Sequence, residues 1–190
     1  VKSAPDNEIA KSNCVAVNPQ DFPGEKFIIV NSQYVFSTKS STKTMPGTIG
    51  MSGHQRFWGK WSEDENVHVE LFKASGGYLG EINVEIQPWN KGRASNREYD
   101  SDALSEAFVK KFNGFILCPS EILLFEFEGA YFQIVITSTK VIDLGETNPK
   151  AIESNKLITN RGIVMETSQV LFYSDAVKLK ASKRAPQTSV

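Results

Sequence analysis

The chain has 190 residues, 40% of them hydrophobic and 23% charged, with a formal net charge of -1. That is enough apolar material for one large domain or two small lobes, and the charge balance argues against a dedicated nucleic-acid binder while leaving room for local basic patches. No run approaches the roughly 20 apolar residues of a membrane helix, and no basic, then apolar, then small-residue leader is visible.

In chain order, strand signals dominate. Phe27-Ile28-Ile29-Val30 and Tyr34-Val35-Phe36-Ser37-Thr38 flank the polar link Asn31-Ser32-Gln33, which reads as a hairpin. Met45-Pro46-Gly47 reads as a turn. Val67-His68-Val69-Glu70-Leu71 alternates like a half-buried strand. Lys73-Ala74-Ser75-Gly76-Gly77 then breaks the pattern and marks a joint between two lobes. Beyond it Ile82, Val84 and Ile86 share one face of a strand that Pro88 ends. Residues 90–98 are polar, carry three cations and read as loop.

The spacing predicts one helix next. Asp100, Ser101 and Asp102 supply its cap and first-turn acids, Leu104, Ala107, Phe108 and Phe112 its apolar face, and Gly114 its stop. Ile122–Phe127 and Tyr131–Ile136 form a second hairpin about Glu128-Gly129-Ala130. Residues 143–156 are a polar excursion, and Ile163-Val164-Met165 and Gln169–Tyr173 supply the last strands. The expected architecture is α+β and β-rich. A front lobe takes residues 1–72, a linker 73–76 and a rear lobe with one main helix 77–180. The polar, basic stretch 181–190 reads as the start of a linker to something else.

No phosphate-binding loop, dinucleotide fingerprint or G-x-S-x-G nucleophile setting occurs. Cys14 and Cys118 lie outside any metal-ligand spacing and fit free thiols in a reducing cytosol, with Cys14 a buried structural one. His68 reads as a surface residue of its strand and His54 as a solvated loop residue. Glu63-Asp64-Glu65 reads as an acidic turn, lacking the further oxygen ligands that calcium requires. The residues therefore point to a binding module with no catalytic site and no metal of its own. The segments that stand out are Gln55-Arg56-Phe57-Trp58-Gly59-Lys60-Trp61 and Trp89-Asn90-Lys91-Gly92-Arg93, which mix cations with tryptophan in stretches that read as loop. Such loops can hold acidic protein surfaces, tryptophan giving rigid contact area and arginine forked bonds to carboxylates. The plainer reading is two surface loops, each with a tryptophan tucked beneath.

Four collinear segments carry a resemblance: Ser12–Asn18 with Asp21-Phe22, Gln55-Arg56-Phe57-Trp58, Tyr99–Asp102 with the helix to Asn113, and Gly162-Ile163-Val164 with Ser168-Gln169-Val170. Together they resemble the N domain of the N-ethylmaleimide-sensitive fusion factor (NSF) family of AAA ATPases, in its fungal vesicular-fusion form. The resemblance implies a double-psi β-barrel followed by an α/β roll. It implies a hexameric parent whose separate modules bind ATP and Mg and hydrolyse ATP. That parent disassembles SNARE complexes in vesicle transport, working in the cytoplasm and recruited peripherally to vesicle and organelle membranes. The N domain itself, a monomer in isolation, would grip the acidic adaptor SNAP through a basic groove between its lobes. Arg56 and Lys91 match the family's groove cations directly. Arg93 and Lys2 stand beside positions where the basic residue of animal members is replaced here by Gly92 and Ser3, and Phe57 replaces another. The alternatives left open are the N domain of a p97-like ATPase serving ubiquitin-pathway adaptors, an enzyme on a double-psi barrel, and a lipid-surface module. The last is disfavoured by the near-neutral charge and the lack of a basic amphipathic helix.

Overall fold

Two sheets, built from successive stretches of sequence, organise the computed structural model, which describes residues 1–74, 77–90, 92, 96–143 and 160–181. The first draws on β1 (Lys2–Ser3), β2 (Val15–Val17), β3 (Phe27–Val30), β4 (Tyr34–Ser40), β5 (Ile49–Met51) and β6 (Val69–Leu71), in the order β1-β5-β2-β4-β3-β6. The β3–β4 hairpin turns where the sequence places it. Asn31 and Ser32 both take positive φ (50° and 56°), the geometry whose twist matches a tight hairpin. β1–β5 and β2–β4 pair in parallel, whereas β2–β5 pair antiparallel. The Asp64 amide donates to the Val1 carbonyl (2.8 Å), which draws the segment ahead of edge strand β6 back against the opposite edge and wraps the sheet round its core. That core is Val15, Val17, Ile28, Val30, Phe36, Ile49, Met51 and Trp61.

The second sheet has the order β10-β11-β7-β12-β9, with β7 (Gly77–Pro88), β9 (Ile116–Leu117), β10 (Ile122–Phe127), β11 (Ala130–Asp143) and β12 (Gly162–Tyr173). Ile82, Val84 and Ile86 are fully buried on one face of β7, as their alternation predicts. The long helix α3 (Ser101–Phe112) packs on this sheet. Asp100 caps it by accepting from the Asp102 and Ala103 amides (3.0 and 3.1 Å), and Leu104, Phe108 and Phe112 are its buried face. A short parallel pair, β8 (Glu98–Asp100) with β13 (Lys178–Lys180), stands beside it. The molecule is thus α+β, strand-rich and two-lobed.

The structure differs from the sequence reading in five places. Gln55–Trp61 is not a loop: α2 (Gly53–Gly59) runs through it, started by a capping box between Ser52 and Gln55 and ended by Lys60 in the left-handed region (φ 59°). A further short helix, α1 (Asn7–Lys11), is capped by Asp6. The strand expected over 67–71 shortens to β6, because Val67 and His68 pair with no neighbour along a ladder. The two strands expected at 163–165 and 169–173 are one strand, β12, broken in register between Val164 and Gln169. Glu98, assigned to a loop, begins β8. Part of the expected joint (75–76), most of the polar excursion and residues 182–190 lie outside the described residues.

Candidate functional site

The seam between the lobes starts from an edge strand. β10 is the outermost strand of its sheet, and its Leu124 turns an N–H and a C=O outward. Such groups need partners once they are covered. Asn13 of the front lobe supplies both. Its Nδ2 donates to the Leu124 carbonyl (2.8 Å) and its Oδ1 accepts from the Leu124 amide (2.7 Å). One side-chain amide thus imitates a neighbouring strand. Asn13 can stand there because asparagine tolerates its positive φ of 60°.

His54 completes the arrangement. Its Nε2 lies 3.0 Å from Asn13 Oδ1 and its Nδ1 lies 3.1 Å from Ser52 Oγ. Asn13 Oδ1 is an acceptor, so Nε2 carries the proton, and Nδ1 faces the Ser52 hydroxyl, whose single proton also has Gln55 Oε1 (3.0 Å) within reach. The expected solvated loop histidine is in fact buried, and burial, helped by the nearby Lys111 charge, lowers its pKa to about 4. The reason lies in tertiary contact: α2 turns His54 inward, toward a residue 41 positions away. Ser52 therefore both caps α2 and anchors the seam.

Further bonds cross the seam. Trp58 Nε1 donates to Ser120 Oγ (3.4 Å), and Lys11 Nζ donates to the Tyr131 hydroxyl (3.2 Å) from a position 4.9 Å above its ring centre. Arg161 donates to the Gln33 carbonyl and lies over the Phe72 ring. Beneath it Glu121 accepts from the Cys118 amide (3.1 Å). Full burial raises the Glu121 carboxyl to about 8. Burial, then the Glu121 charge, also pushes the Cys118 thiol up, and burial does the same to Cys14, so neither thiol is primed as a nucleophile.

Two clefts open along this seam. One, of about 550 Å³, is lined by Lys11, His54, Phe57, Trp89, Leu124 and Tyr131 among others. The second, of about 910 Å³, is lined by Arg56, Phe57, Trp58, Lys60, Trp61 and Ser120 among others. Phe57 borders both and is 75% exposed. The tryptophans of α2 and its C-terminus do the reverse. The rings of Trp58 and Trp61 both lie edge-on to Tyr34, and Trp58 also to Phe36; Trp61 is part of the front-lobe core and Trp58 is half-buried against it, each leaving only part of its surface to the second cleft. A Cβ on Gly59 would come within 2.3 Å of the Trp61 ring, which is why that position has no side chain.

The expected groove cations are distributed as follows. Arg56 lies on α2, half-buried, with Nη1 donating to Ser3 Oγ (3.1 Å) and to the Met51 carbonyl (2.9 Å), and it lines the second cleft. A guanidinium has more donors than those two bonds use. Lys2, next to Ser3 on β1, pairs with Asp64 at the surface, and that carboxylate raises its pKa. The structure therefore brings Arg56 to Ser3, beside Lys2, and turns the Lys2 ammonium toward Asp64. Lys91 and Arg93 lie outside the described residues. Among the described residues no three His, Cys, Asp or Glu side chains cluster so as to hold a metal, and no helix is long and apolar enough to cross a membrane. Sequence reading missed the roles of Asn13 and His54, and it had Lys60 in the basic segment without naming it among the groove cations. The one available signal was Ser52-x-x-Gln55, a capping box that marks the start of α2.

Comparison with known proteins places this architecture. The family described as Cell division protein 48 (CDC48), domain 2, matches residues 98–169, within the rear lobe. The vesicular-fusion protein SEC18 of Saccharomyces cerevisiae is 36% identical across 96% of this chain, and that of Candida albicans 33% across 91%. The chain is an N domain of the NSF family. A more distant relative, the vesicle-fusing ATPase of Caenorhabditis elegans, is 24% identical across 89% of the chain. The chain spans about a quarter of the length of these relatives, covering 25% of the S. cerevisiae protein, 23% of the C. albicans protein and 24% of the C. elegans protein.

Proposed function

We propose that this chain is the adaptor-grasping part of a hexameric ATPase that takes apart SNARE complexes during vesicle transport and membrane fusion. In this reading it acts in the cytoplasm, at vesicle and organelle membranes. The chain itself performs no chemistry; ATP and Mg belong to modules outside it. The observation that carries the reading is the similarity to SEC18 proteins, which runs through both lobes and hence through the seam. The seam's chemistry agrees with it: Arg56 and Lys60 line the larger cleft and Lys11 the smaller, and none of the described residues lining either is acidic. The partner is the acidic adaptor SNAP, and through it the SNARE bundle. Arg56 is the front-lobe anchor. Lys91 and Arg93 are the rear-lobe contribution and Lys2 an accessory cation released from Asp64.

Exposed ion pairs each contribute roughly 0–1 kcal/mol. A single N domain therefore holds SNAP weakly, and six on one ring gain from avidity. Weak single contacts suit a machine that releases its substrate every cycle. The test is a titration of the chain with SNAP on a SNARE bundle at several salt concentrations, beside Arg56→Glu. Binding should weaken with salt and be lost on charge reversal. Binding that survives both would move the contact elsewhere.

A second reading, the N domain of a p97-like ATPase serving ubiquitin-pathway adaptors, is favoured by the CDC48 domain 2 match alone. That match lies within 98–169, whereas the SEC18 similarity takes in the front lobe too. Lack of SNAP binding together with capture of ubiquitin-pathway adaptors would favour the second reading.

A further inference from the structure

The electrostatic reading uses only Lys11 of the smaller cleft. Its polar share is slight: Lys11 and His54 border it, but Phe57, Trp89, Tyr131, Ile122 and Leu124 make its walls. Three of these are open to solvent, Phe57 at 75%, Trp89 at 46% and Tyr131 at 37%. A single exposed aromatic is ordinary; three around one concavity are not. Phe57 is held there by design of the local fold. The capping box fixes the start of α2, the inward turns of His54 and Gln55 fix its roll, and Trp58 is locked against Tyr34 and Phe36, which leaves position 57 pointing out.

We propose that this cleft receives one apolar side chain of an acidic segment of the adaptor, so that the grip is an apolar anchor flanked by ion pairs rather than ion pairs alone. The inference rests on the adaptor reading given above. Phe57 and Ile122 line both clefts, so an anchor seated beside Phe57 places its flanking residues within reach of Lys11 on one side and of Arg56 and Lys60 on the other. No described lining residue of either cleft is acidic, in a chain whose formal net charge is -1, so these walls select carboxylates around the anchor. A cleft of about 550 Å³ accepts a leucine-sized or aromatic side chain, and its concavity fits a side chain better than a bilayer face. The aromatic walls are rigid, so little side-chain entropy is lost when the anchor seats.

The experiment compares the unaltered chain, Phe57→Ala and Arg56→Glu in SNAP binding across a salt series, with thermal melts to establish that each variant folds. The expected result is that Phe57→Ala weakens binding at least about tenfold, the effect of burying one such side chain, with the salt slope unchanged. Arg56→Glu should weaken binding and flatten the slope. Phe57→Ala binding as well as the unaltered chain, with Arg56→Glu impaired, would overturn the anchor and leave the adaptor reading standing. If no form binds SNAP, the adaptor reading falls. The anchor is then judged with a synthetic acidic peptide carrying one central leucine and its leucine-to-serine twin, read by NMR at the Trp89 indole. Shifts caused by the leucine peptide alone support the cleft for another acidic partner. Equal response to both peptides overturns it, as does Phe57-dependent binding to anionic vesicles without discrimination between the peptides.

Discussion

The two lobes are held together internally by different means. The rear lobe has an aromatic core: Phe108 touches Phe112, Phe125 and Phe172, with ring centres 4.7–6.2 Å apart, and Phe132 packs against Tyr99. The front lobe has short strands and a smaller apolar cluster, and it buries Asn13, Asn18, Thr44, Ser52, His54 and Gln55. These buried polar groups largely find partners, Asn18 Nδ2 donating to the Thr44 carbonyl (2.7 Å) as Asn13 does to Leu124. The lesson is a division of labour. Non-directional burial makes the rear lobe a firm base, while directional bonds in the front lobe fix where α2 and its exposed side chains stand relative to that base.

That contrast can be broken at its strongest point first. Phe108→Ala removes a fully buried ring from the rear core and should cost about 3–5 kcal/mol, measured by chemical denaturation. Asn13→Ala should cost less, about 2–4 kcal/mol, because it leaves the Leu124 N–H and C=O unpaired and forces alanine into the left-handed region. Its signature differs in kind. Amide exchange at Leu124 should accelerate well before global unfolding, and the salt slope of adaptor binding should stay as it is. If Leu124 remains as protected as the rear core in Asn13→Ala, directional bonding does not fix the seam.

The pH dependence separates the lobes by sign, His54 of the front lobe and Glu121 of the rear lobe acting in opposite directions. His54 has a folded pKa of about 4 against an ordinary 6.5, so the unfolded chain binds more protons between those values. Its contribution is fully present above pH 6.5 and is lost as pH falls toward 4, with a slope of at most about 1.4 kcal/mol per pH unit. Glu121 is raised to about 8 from an ordinary 4.5, so the folded chain keeps the extra proton. Its contribution is full below 4.5 and declines as pH rises toward 8, subject to the same limiting slope of about 1.4 kcal/mol per pH unit. Between pH 4.5 and 6.5 the two slopes oppose each other, so His54→Gln should leave stability falling with rising pH across that window, while Glu121→Gln should leave it rising there and remove the decline between 6.5 and 8. An unchanged profile in either variant would show that the group titrates as it does in water.

The rear lobe was the more legible in the sequence because its elements are longer and regularly patterned. α3 announces itself through Asp100 at its cap, Leu104, Phe108 and Phe112 at helical spacing and Gly114 (φ 82°) at its stop. The β10–β11 hairpin does so through Glu128-Gly129, both at positive φ. α2 was hidden because its seven residues carry a glycine at each end and no apolar stripe, leaving only the Ser52–Gln55 box as a clue. Of the expected groove residues, Arg56 was legible as a cation. Its neighbour Phe57 was legible only as a missing one, and nothing in the pattern said that it would face solvent between two clefts.

By itself, then, the sequence determined the α+β class, the amphipathic helix, the hairpins and the alternation of β7, because each depends on residues two to four positions apart whose faces are set by backbone geometry. The tertiary structure alone decided that Asn13 would complete the edge of β10, 111 positions away. It also decided that His54 would be neutral and buried, that Trp58 and Trp61 would turn inward, and that Phe57 would stand out beside Arg56. Those outcomes depend on which unpaired backbone groups and which dry surfaces meet when two lobes close on each other, and no local periodicity records that meeting.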